Sequence, residues 1–367
     1  MAELFKNIYH TEFFDRFITS VNEVVPGFNK ASFLKEIYDT EWENRELKQR
    51  MRHITQVLKN HLSDDFNTNV ETILKLIPVL KKDGFKPDNL EFIFLPDFIE
   101  IYGLESYEIA IKAFEEITQF VSCEFAVRPF IIKYQDNMIK QMLLWANHKH
   151  SSVRRLATEG CRPRLPWAMA IASLKETPAP IIPILKKLKS DPSEYVRRSV
   201  ANNLNDISKD HPETVINLVK KWQGNSKETD WLIKHACRTL LKQGNTKVMA
   251  LFGFGNTEKI KVTDFKILTP KVKIGDFVEF SLKLVNTSNN TAKIRLEYGL
   301  YYQKANTSLS RKVFKISEKE YPKNSTTSIN RKQSFKVITT RKFHVGKHQI
   351  SIIINGKEID VLDFELI

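Results

Sequence analysis

Three stretches of the chain repeat one helical pattern, and this repetition restricts the fold more than any other feature of the sequence. VRRLATE (153–159) and VRRSVAN (196–202) match at an offset of 43 residues, and LIKHACR (232–238) follows the second at an offset of 36. Repeats of this length, each preceded by a helix and a turn, are typical of HEAT- and armadillo-like solenoids. Such solenoids present a long concave surface for binding.

The hydrophobic periodicity changes near residue 250. Before it, apolar residues recur at helical spacing, as in TILKLIPVLKK and MIKQMLLWA. After Leu251 they alternate with polar residues, as in FVEFSLKLVN, KIRLEYGLYY, RKQSFKVITT and KHQISIIIN, with NTSNNT, KNSTTS and NGK as turns. The sequence therefore predicts a mainly α protein. A HEAT-like helical-repeat domain would span residues 1–254, and an immunoglobulin-like β-sandwich would span residues 255–367, with GNTEKIK (255–261) as the linker.

The net charge of +14 indicates a polyanionic partner, most often nucleic acid. Residues 251–367 hold 21 Lys+Arg and 11 Asp+Glu, a net charge of +10, whereas residues 1–250 carry only +4. A basic composition that serves only solubility is the alternative. The charge excess therefore lies mainly in the β domain.

Other bulk features exclude several classes of protein. No apolar run approaches the roughly 20 residues of a membrane span, and the N-terminus lacks the pattern of a signal peptide. We therefore expect a cytoplasmic protein without a membrane partner. Three widely spaced cysteines (Cys123, Cys161 and Cys237) form no CxxC pair. This spacing argues against a disulfide framework or a zinc site, so we expect no metal and no cofactor.

Charged residues at helical spacing recur in successive repeats. Arg155 and Glu159 stand at i, i+4, and Arg198, Asn202 and Asp206 continue the row in the next repeat. Glu124 and Arg128 form a similar pair in SCEFAVRPF, closed by Pro129, and Lys234, Arg238 and Lys242 occupy the matching places in the third copy. On spacing alone, exposed ion pairs that stabilise a helix by ~0.2–0.5 kcal/mol are the favoured explanation. However, carboxylates weaken a surface built for a polyanion, which suggests a second purpose for Glu124, Glu159 and Asp206.

A stiff aromatic corner follows Glu159 in the stretch LATEGCRPRLPWA (156–168). Pro163 restricts the backbone of Arg162, and Pro166 suits the first turn of a helix. We expect the two prolines to hold Trp167 near the concave side. A tryptophan of the core is the alternative interpretation.

Taken together, SCEFAVRPF, LATEGCRPRLPWA and SVANNLNDISKDHP resemble the AlkC/AlkD-type DNA alkylation repair glycosylases. The AlkC branch, some of whose members carry a C-terminal immunoglobulin-like domain, is the closer match, and the resemblance covers the whole chain. It implies excision of cationic N-alkylated bases, chiefly 3-methyladenine and 3-methylcytosine, from double-stranded DNA without base flipping. With this resemblance, we expect the basic β domain to contribute to binding DNA by wrapping the duplex, and the bacterial-type protein to work at the nucleoid. We expect a monofunctional glycosylase, because no nucleophilic lysine marks a lyase, and a monomer, as is usual for solenoids that wrap DNA.

The resemblance also implies roles for individual residues. The residues matching the catalytic motif are Glu124, Glu159, Trp167 and Asp206. The basic residues expected to follow the DNA phosphates are Arg128, Arg154, Arg155, Arg162, Arg164, Arg197, Arg198, Lys234 and Arg238. Two other readings stay open: a non-enzymatic helical-repeat scaffold for a protein or peptide, and a DNA-structure-binding relative that has lost catalysis.

Overall fold

The computed structural model describes residues 5–337 and 341–367, whose elements fall into two compact units. The first unit runs to His211 and includes Trp222–Ala236, and the second contains Pro212–Lys221 and Cys237–Ile367. Strands begin at Ile260, inside the expected linker GNTEKIK. The functional division at residues 254 and 255 stays a prediction.

Helices build the first unit and the early part of the second. Their bounds are Thr11–Val24 (α1), Lys30–Ile37 (α2), Leu47–Asn60 (α3), Phe66–Lys82 (α4), Phe94–Tyr102 (α5), Tyr107–Ile117 (α6), Val127–Trp145 (α7), Ser151–Glu159 (α8), Ala172–Glu176 (α9), Ile182–Leu188 (α10), Glu194–Ile207 (α11), Pro212–Trp222 (α12), Lys227–Ala236 (α13), Arg238–Lys242 (α14) and Thr246–Leu251 (α15). Within the described part of the chain, none of these helices combines the length and apolarity needed to cross a bilayer.

The predicted repeat is visible in equivalent contacts of α8 and α11. Arg154 Nη1 donates to the carbonyls of His148 (3.0 Å) and Lys149 (2.8 Å). Arg197, 43 residues later, donates in the same way to the carbonyls of Asp191 (2.7 Å) and Pro192 (2.9 Å). The apolar faces of both helices are buried, as expected for helices that pack against their neighbours. Those of α8 and α11 consist of Val153, Leu156, Ala157, Val196, Val200, Leu204 and Ile207.

The third copy of the repeat departs from the prediction. Helix α13 ends at Ala236 and α14 begins at Arg238, because Cys237 has ψ of 5° and interrupts the helix. A single helical row of Lys234, Arg238 and Lys242 is therefore wrong.

The described residues of the second unit also form the strands Ile260–Ile267 (β1), Lys271–Val272 (β2), Phe277–Asn286 (β3), Ala292–Gln303 (β4), Leu309–Tyr321 (β5), Ser325–Ser334 (β6), Gly346–Ile354 (β7) and Lys357–Leu366 (β8). One described sheet has the order β1-β3-β6 and the other β2-β8-β7-β4-β5. All pairs are antiparallel except β2 with β8. Inward residues of both sheets, including Phe280, Leu296 and Ile352, form one apolar core. This confirms the predicted immunoglobulin-like sandwich.

The strand predictions succeed in part. FVEFSLKLVN coincides with β3, and NGK forms the tight turn between β7 and β8, with positive φ at Asn355 and Gly356 as an Asn-Gly hairpin requires. RKQSFKVITT was expected to be one strand, but β6 ends at Ser334, and the end of the stretch (338–340) lies outside the described residues. Four residues of the expected turn KNSTTS, namely 325–328, instead begin β6.

Candidate functional site

A partly open cleft of about 300 Å³ lies in the helical unit, beside the end of α8 and the start of α11. We call it the acidic cleft. Its lining residues are Asp88, Asn89, Leu90, Ile93, Val121, Ser122, Glu124, Phe125, Glu159, Arg162, Leu165, Pro166, Trp167 and Tyr195. The predicted residues Glu124, Glu159, Arg162 and Trp167 therefore meet at one place. These residues line a walled cleft, whereas the concave surface of a solenoid alone would suggest a surface without a pocket.

The charge of this cleft is opposite to that of the whole protein. Three of its lining residues are acidic (Asp88, Glu124 and Glu159), whereas Arg162 is the one cation among those described. Three aromatic rings, those of Phe125, Trp167 and Tyr195, complete the walls. Negative charge combined with aromatic faces attracts a cation, because carboxylates and π-systems both interact favourably with positive charge. A cationic group therefore fits the cleft better than an anion does.

Arg155 joins two carboxylates of the cleft. Its Nη1 donates to Glu124 Oε2 (2.6 Å) and to Ser122 Oγ (3.1 Å), and its Nη2 lies 3.7 Å from Glu159 Oε1. The guanidinium carbon also lies 4.5 Å from the centroid of the Tyr195 ring. Burial disfavours the cation, but Glu124 and Glu159 outweigh it and hold the pKa of Arg155 above its ordinary value. Arg155 therefore orients the cleft carboxylates.

Arg162 forms a second bridge, between Glu159 and Asp206. Its Nη1 donates to Glu159 Oε1 (2.6 Å) and its Nε donates to Asp206 Oδ2 (2.8 Å). Asp206 is only 2% exposed, also accepts from Lys209 Nζ (3.0 Å), and does not line the cleft. Glu159 Oε1 takes all the contacts, and Glu159 Oε2 accepts no hydrogen bond from the described residues. That oxygen is available to a water or a substrate.

The loop that carries Trp167 is not helical. Helix α8 ends at Glu159 and α9 begins at Ala172, so the expectation that Pro166 starts a helix is wrong. The Ala168 amide donates to the Leu165 carbonyl (3.3 Å), and Trp167 has φ of +65°. Proline at the second position and a positive φ at the third match a type II turn, whose third position normally takes glycine. The Trp167 side chain is 58% exposed, which excludes the core alternative.

Arg128 holds this loop from inside. Its Nη1 donates to the carbonyls of Gly160 (2.9 Å) and Arg162 (2.8 Å), and its Nε donates to the carbonyl of Met169 (2.7 Å). The side chain is fully buried, and burial lowers the pKa of Arg128 to about 10. A phosphate contact is therefore not possible in this structure, and that prediction is wrong for Arg128. The expected Glu124–Arg128 pair is also wrong, because Glu124 pairs with Arg155, and Pro129 stands in the first turn of α7.

The remaining predicted cations differ in exposure. Arg154 is mostly buried against Asp191, and Arg197 binds the backbone carbonyls described above. Arg164 is partly exposed and forms a bidentate pair with Asp210, whereas Arg198 is 56% exposed. Lys234 lies in the first unit and Arg238 in the second. Among the arginines of α8 and α11, Arg198 is thus the best placed for a phosphate.

Sequence reasoning missed several residues of the site, among them Asp88, Phe125, Tyr195 and Lys209. Tyr195 could have been found from the repeat, because it precedes Val196 as Trp231 precedes Leu232. Each of these rings lies beside the second arginine of the preceding repeat, with Arg155 over Tyr195 and Arg198 over Trp231 at 5.7 Å. Asp88 carries no such signal, because it comes from a loop far away in the chain.

The fold and the cleft define a class: helical-repeat proteins with an acidic aromatic cleft and a C-terminal immunoglobulin-like domain. Residues 104–240 match the family described as DNA alkylation repair enzyme, and residues 261–367 match the C-terminal Ig-like domain of the uncharacterised protein YhaZ. YhaZ of Bacillus subtilis (strain 168) is 44% identical over 366 residues, covering 100% of both chains. The chain belongs to the DNA alkylation repair enzyme family, in the branch with the Ig-like domain.

A solved relative is similar over the same full length. It is the alkylpurine DNA glycosylase AlkC of Pseudomonas fluorescens, bound to DNA that contains an abasic site analog. Its sequence is 32% identical, it covers 100% of both chains, and the TM-score is 0.93. Helical repeats and sandwich are therefore both shared with a DNA repair protein.

Proposed function

We propose that this protein is a monofunctional DNA glycosylase that releases cationic N-alkylated bases, chiefly 3-methyladenine and 3-methylcytosine, from double-stranded DNA. The observation that carries this proposal is the acidic cleft in a basic protein, with Glu159 Oε2 left without a hydrogen bond from the described residues. The likeness to AlkC, a glycosylase solved with DNA, supports the same function.

The residue types suit the chemistry of such a substrate. A base alkylated at a ring nitrogen already carries positive charge, so the bond from C1′ to the base nitrogen breaks with its electron pair returning to the base. The base leaves neutral, and the sugar acquires oxocarbenium character, as in other glycoside hydrolyses. Because the leaving base needs no proton, no general acid is required.

Negative charge and a water molecule are then needed at C1′. We assign the first role to Glu124 and Glu159, whose carboxylates line the cleft, and the second to Glu159 Oε2, which would take a proton as the water oxygen bonds to C1′. Asp206 lies behind Arg162, so we propose that it acts by holding the Arg162–Glu159 pair rather than by touching the sugar. The exposed Trp167 face would attract the developing cation. The products are an abasic site and the free base.

We also propose that the lesion is read without flipping the base into an enclosed pocket. The rings at the rim, those of Trp167 and Tyr195, are 58% and 39% exposed, so the cleft stays open to solvent. A flipping enzyme encloses its base between side chains instead.

The β-sandwich supplies a surface for the phosphate backbone in this proposal. A cleft of about 350 Å³ on it is lined by several cations, and none of its described lining residues is acidic. Those lining residues are Tyr302, Gln303, Lys304, Ser310, Arg311, Lys312, Arg341, Lys342 and His344. Arg341 stacks at 4.0 Å over the Tyr302 ring and Arg311 pairs with Glu358, whereas Lys304 and Lys342 form no ion pair with the described residues. Replacing Lys304 and Lys342 by Gln should lower DNA affinity and reduce its salt dependence. An unchanged affinity would contradict a binding role for this surface.

The deciding experiment is the release of free base from methylated duplex DNA by the wild type and by Glu159→Gln. We expect the wild type to release 3-methyladenine or 3-methylcytosine, and the variant to be about 10²- to 10³-fold slower while still binding DNA. Glu71→Gln, an exposed carboxylate of α4, is the matched control. If the folded wild type releases no base from any methylated substrate, a binding scaffold becomes the better explanation.

A further inference from the structure

Trp167 occupies a backbone conformation that its residue type disfavours. Its φ of +65° lies in the left-handed region, where a bulky side chain is costly. The ring is too exposed for packing alone to fix it. A bulky residue persists in such a conformation only when other contacts impose it.

One of these contacts comes from α3, more than a hundred residues away in the chain. Lys48 Nζ donates to the Trp167 carbonyl at 2.9 Å, and it lies 5.4 Å from the centroid of the Phe125 ring, another wall of the acidic cleft. Phe5 adds an edge-to-face contact with the Trp167 ring, at 6.0 Å between centroids. A charged donor on a carbonyl is stronger than a neutral one, so Lys48 is well suited to fixing the turn.

We propose that Lys48 is a positioning residue, which fixes the type II turn and thereby holds the Trp167 ring at the mouth of the cleft. Arg128 binds the carbonyls of residues 160, 162 and 169 of the same loop from the interior. The carbonyl of Trp167, at the tip of the loop, is bound by Lys48 instead. The effect of Lys48 on base release rests on the proposed glycosylase function, whereas its effect on the position of Trp167 does not.

The first test observes Trp167 in the free protein and needs no activity. The chain has five tryptophans, so 5-fluorotryptophan labelling gives a ¹⁹F spectrum in which Trp167→Phe identifies the Trp167 signal. Lys48→Met should shift or broaden that signal and leave the other four in place, and Lys48→Arg should restore it. Lys59→Met removes the same charge from the same helix and should change nothing, because Lys59 binds Ser63 instead. An unmoved Trp167 signal in Lys48→Met would overturn the proposal.

The second test separates positioning from a direct DNA contact by a double-mutant cycle. Lys48→Met should lower the single-turnover rate of 3-methyladenine release roughly three- to tenfold. In the Trp167→Phe background the same change should have almost no further effect if Lys48 acts through Trp167. Multiplicative losses would show that Lys48 acts on the DNA itself, which contradicts the positioning role. If the wild type releases no base, the glycosylase proposal fails and the ¹⁹F result still decides the role of Lys48.

Discussion

The two units each bury an arginine between two carboxylates, and the contrast between these clusters separates function from stability. In the helical unit, Arg162 bridges Glu159 and Asp206 at 2.6 and 2.8 Å. In the β-sandwich, Arg295 bridges Glu297 and Glu318 at 2.6 and 3.0 Å. Composition, distances and burial of the two clusters are nearly the same.

Their surroundings differ. Glu159 and Asp206 each have a second cation, Arg155 and Lys209, and Glu159 opens onto the acidic cleft. Glu297 is fully buried, and Arg295 is its partner among the described residues, with Glu297 Oε2 accepting no hydrogen bond there. A cluster with spare cations and access to solvent can change its partners during a reaction. The enclosed cluster of the sandwich can only hold the fold.

Removing the central arginine should therefore give the largest difference between the clusters. Arg295→Met leaves Glu297 as a buried charge without a partner, which costs about 3–5 kcal/mol of unfolding free energy. Arg162→Met leaves both carboxylates with their second cations and should cost less. Denaturant unfolding of the two variants, followed by circular dichroism, measures this difference. Equal losses of unfolding free energy would show that the two clusters contribute equally to stability.

Replacing a carboxylate should affect the rate of base release in the helical unit but not in the β-sandwich. We expect Asp206→Asn to slow base release about ten- to a hundredfold, about 1.4–2.7 kcal/mol in the barrier, because Arg162 would lose the partner that holds it against Glu159. Single-turnover kinetics on methylated duplex DNA measure this rate. Glu297→Gln is the control, and its folded fraction should retain the wild-type rate. If Asp206→Asn reacts as fast as the wild type, Asp206 has no part in catalysis.

A third arginine, Arg52, bridges Asp97 (2.9 Å) and Glu100 (3.1 Å) and extends the comparison to pH. Burial, together with the Asp97 charge, raises the pKa of Glu100 to about 7. The folded state thus holds a proton that the unfolded chain releases above about pH 4.5, so stability falls as pH rises from there to about 7 and is level above it. Glu100→Gln should remove this loss.

The measurement is the unfolding free energy of wild type and Glu100→Gln between pH 5 and 8. We expect the variant to gain about 2.5 kcal/mol relative to the wild type over that interval. Glu71→Gln, an exposed carboxylate of α4, should show no such gain. If the unfolding free energies of wild type and Glu100→Gln depend on pH in the same way, the pKa of Glu100 is not raised.

Periodicity predicted the helices and repeats because a solenoid is built from local contacts. The arginine–carbonyl contacts of Arg154 and Arg197 repeat at the offset that the motif letters give. The Trp167 loop could not be derived in this way. Pro166 suggested a helix start, whereas the positive φ of Trp167 is imposed by contacts such as that of Lys48, which is remote in sequence.

The site residues show the same limit. Helical spacing brought Arg155 and Glu159 together correctly, because i and i+4 are neighbours on any helix. Spacing could not show that Glu124 pairs across repeats with Arg155, or that Arg128 turns inward to backbone carbonyls. The first outcome depends on how the segment before α7 packs against α8, and the second on which face of α7 meets the loop after α8. Tertiary packing decides both.

The smallest predicted effect concerns Arg198, which contrasts with the enclosed Arg162. Arg198 is 56% exposed and pairs only with Glu194 at i, i+4 and with the Trp231 ring among its described contacts. Arg198→Gln should change stability by less than about 0.5 kcal/mol. If Arg198 meets a phosphate, the slope of log affinity against log salt should fall by about one, and DNA affinity at low salt should fall several-fold.

Lys75→Gln provides a matched control, because Lys75 also stands in an exposed i, i+4 pair, with Glu71. Its loss removes the same charge from a different helix of the same unit and should leave the salt slope unchanged. Fluorescence anisotropy with a labelled duplex at several salt concentrations measures both slopes. Equal slopes for the two variants would mean that Arg198 acts only through the net charge of the protein. A lower slope for Arg198→Gln alone would place a phosphate at α11, about one helical turn beyond Tyr195 in the wall of the acidic cleft.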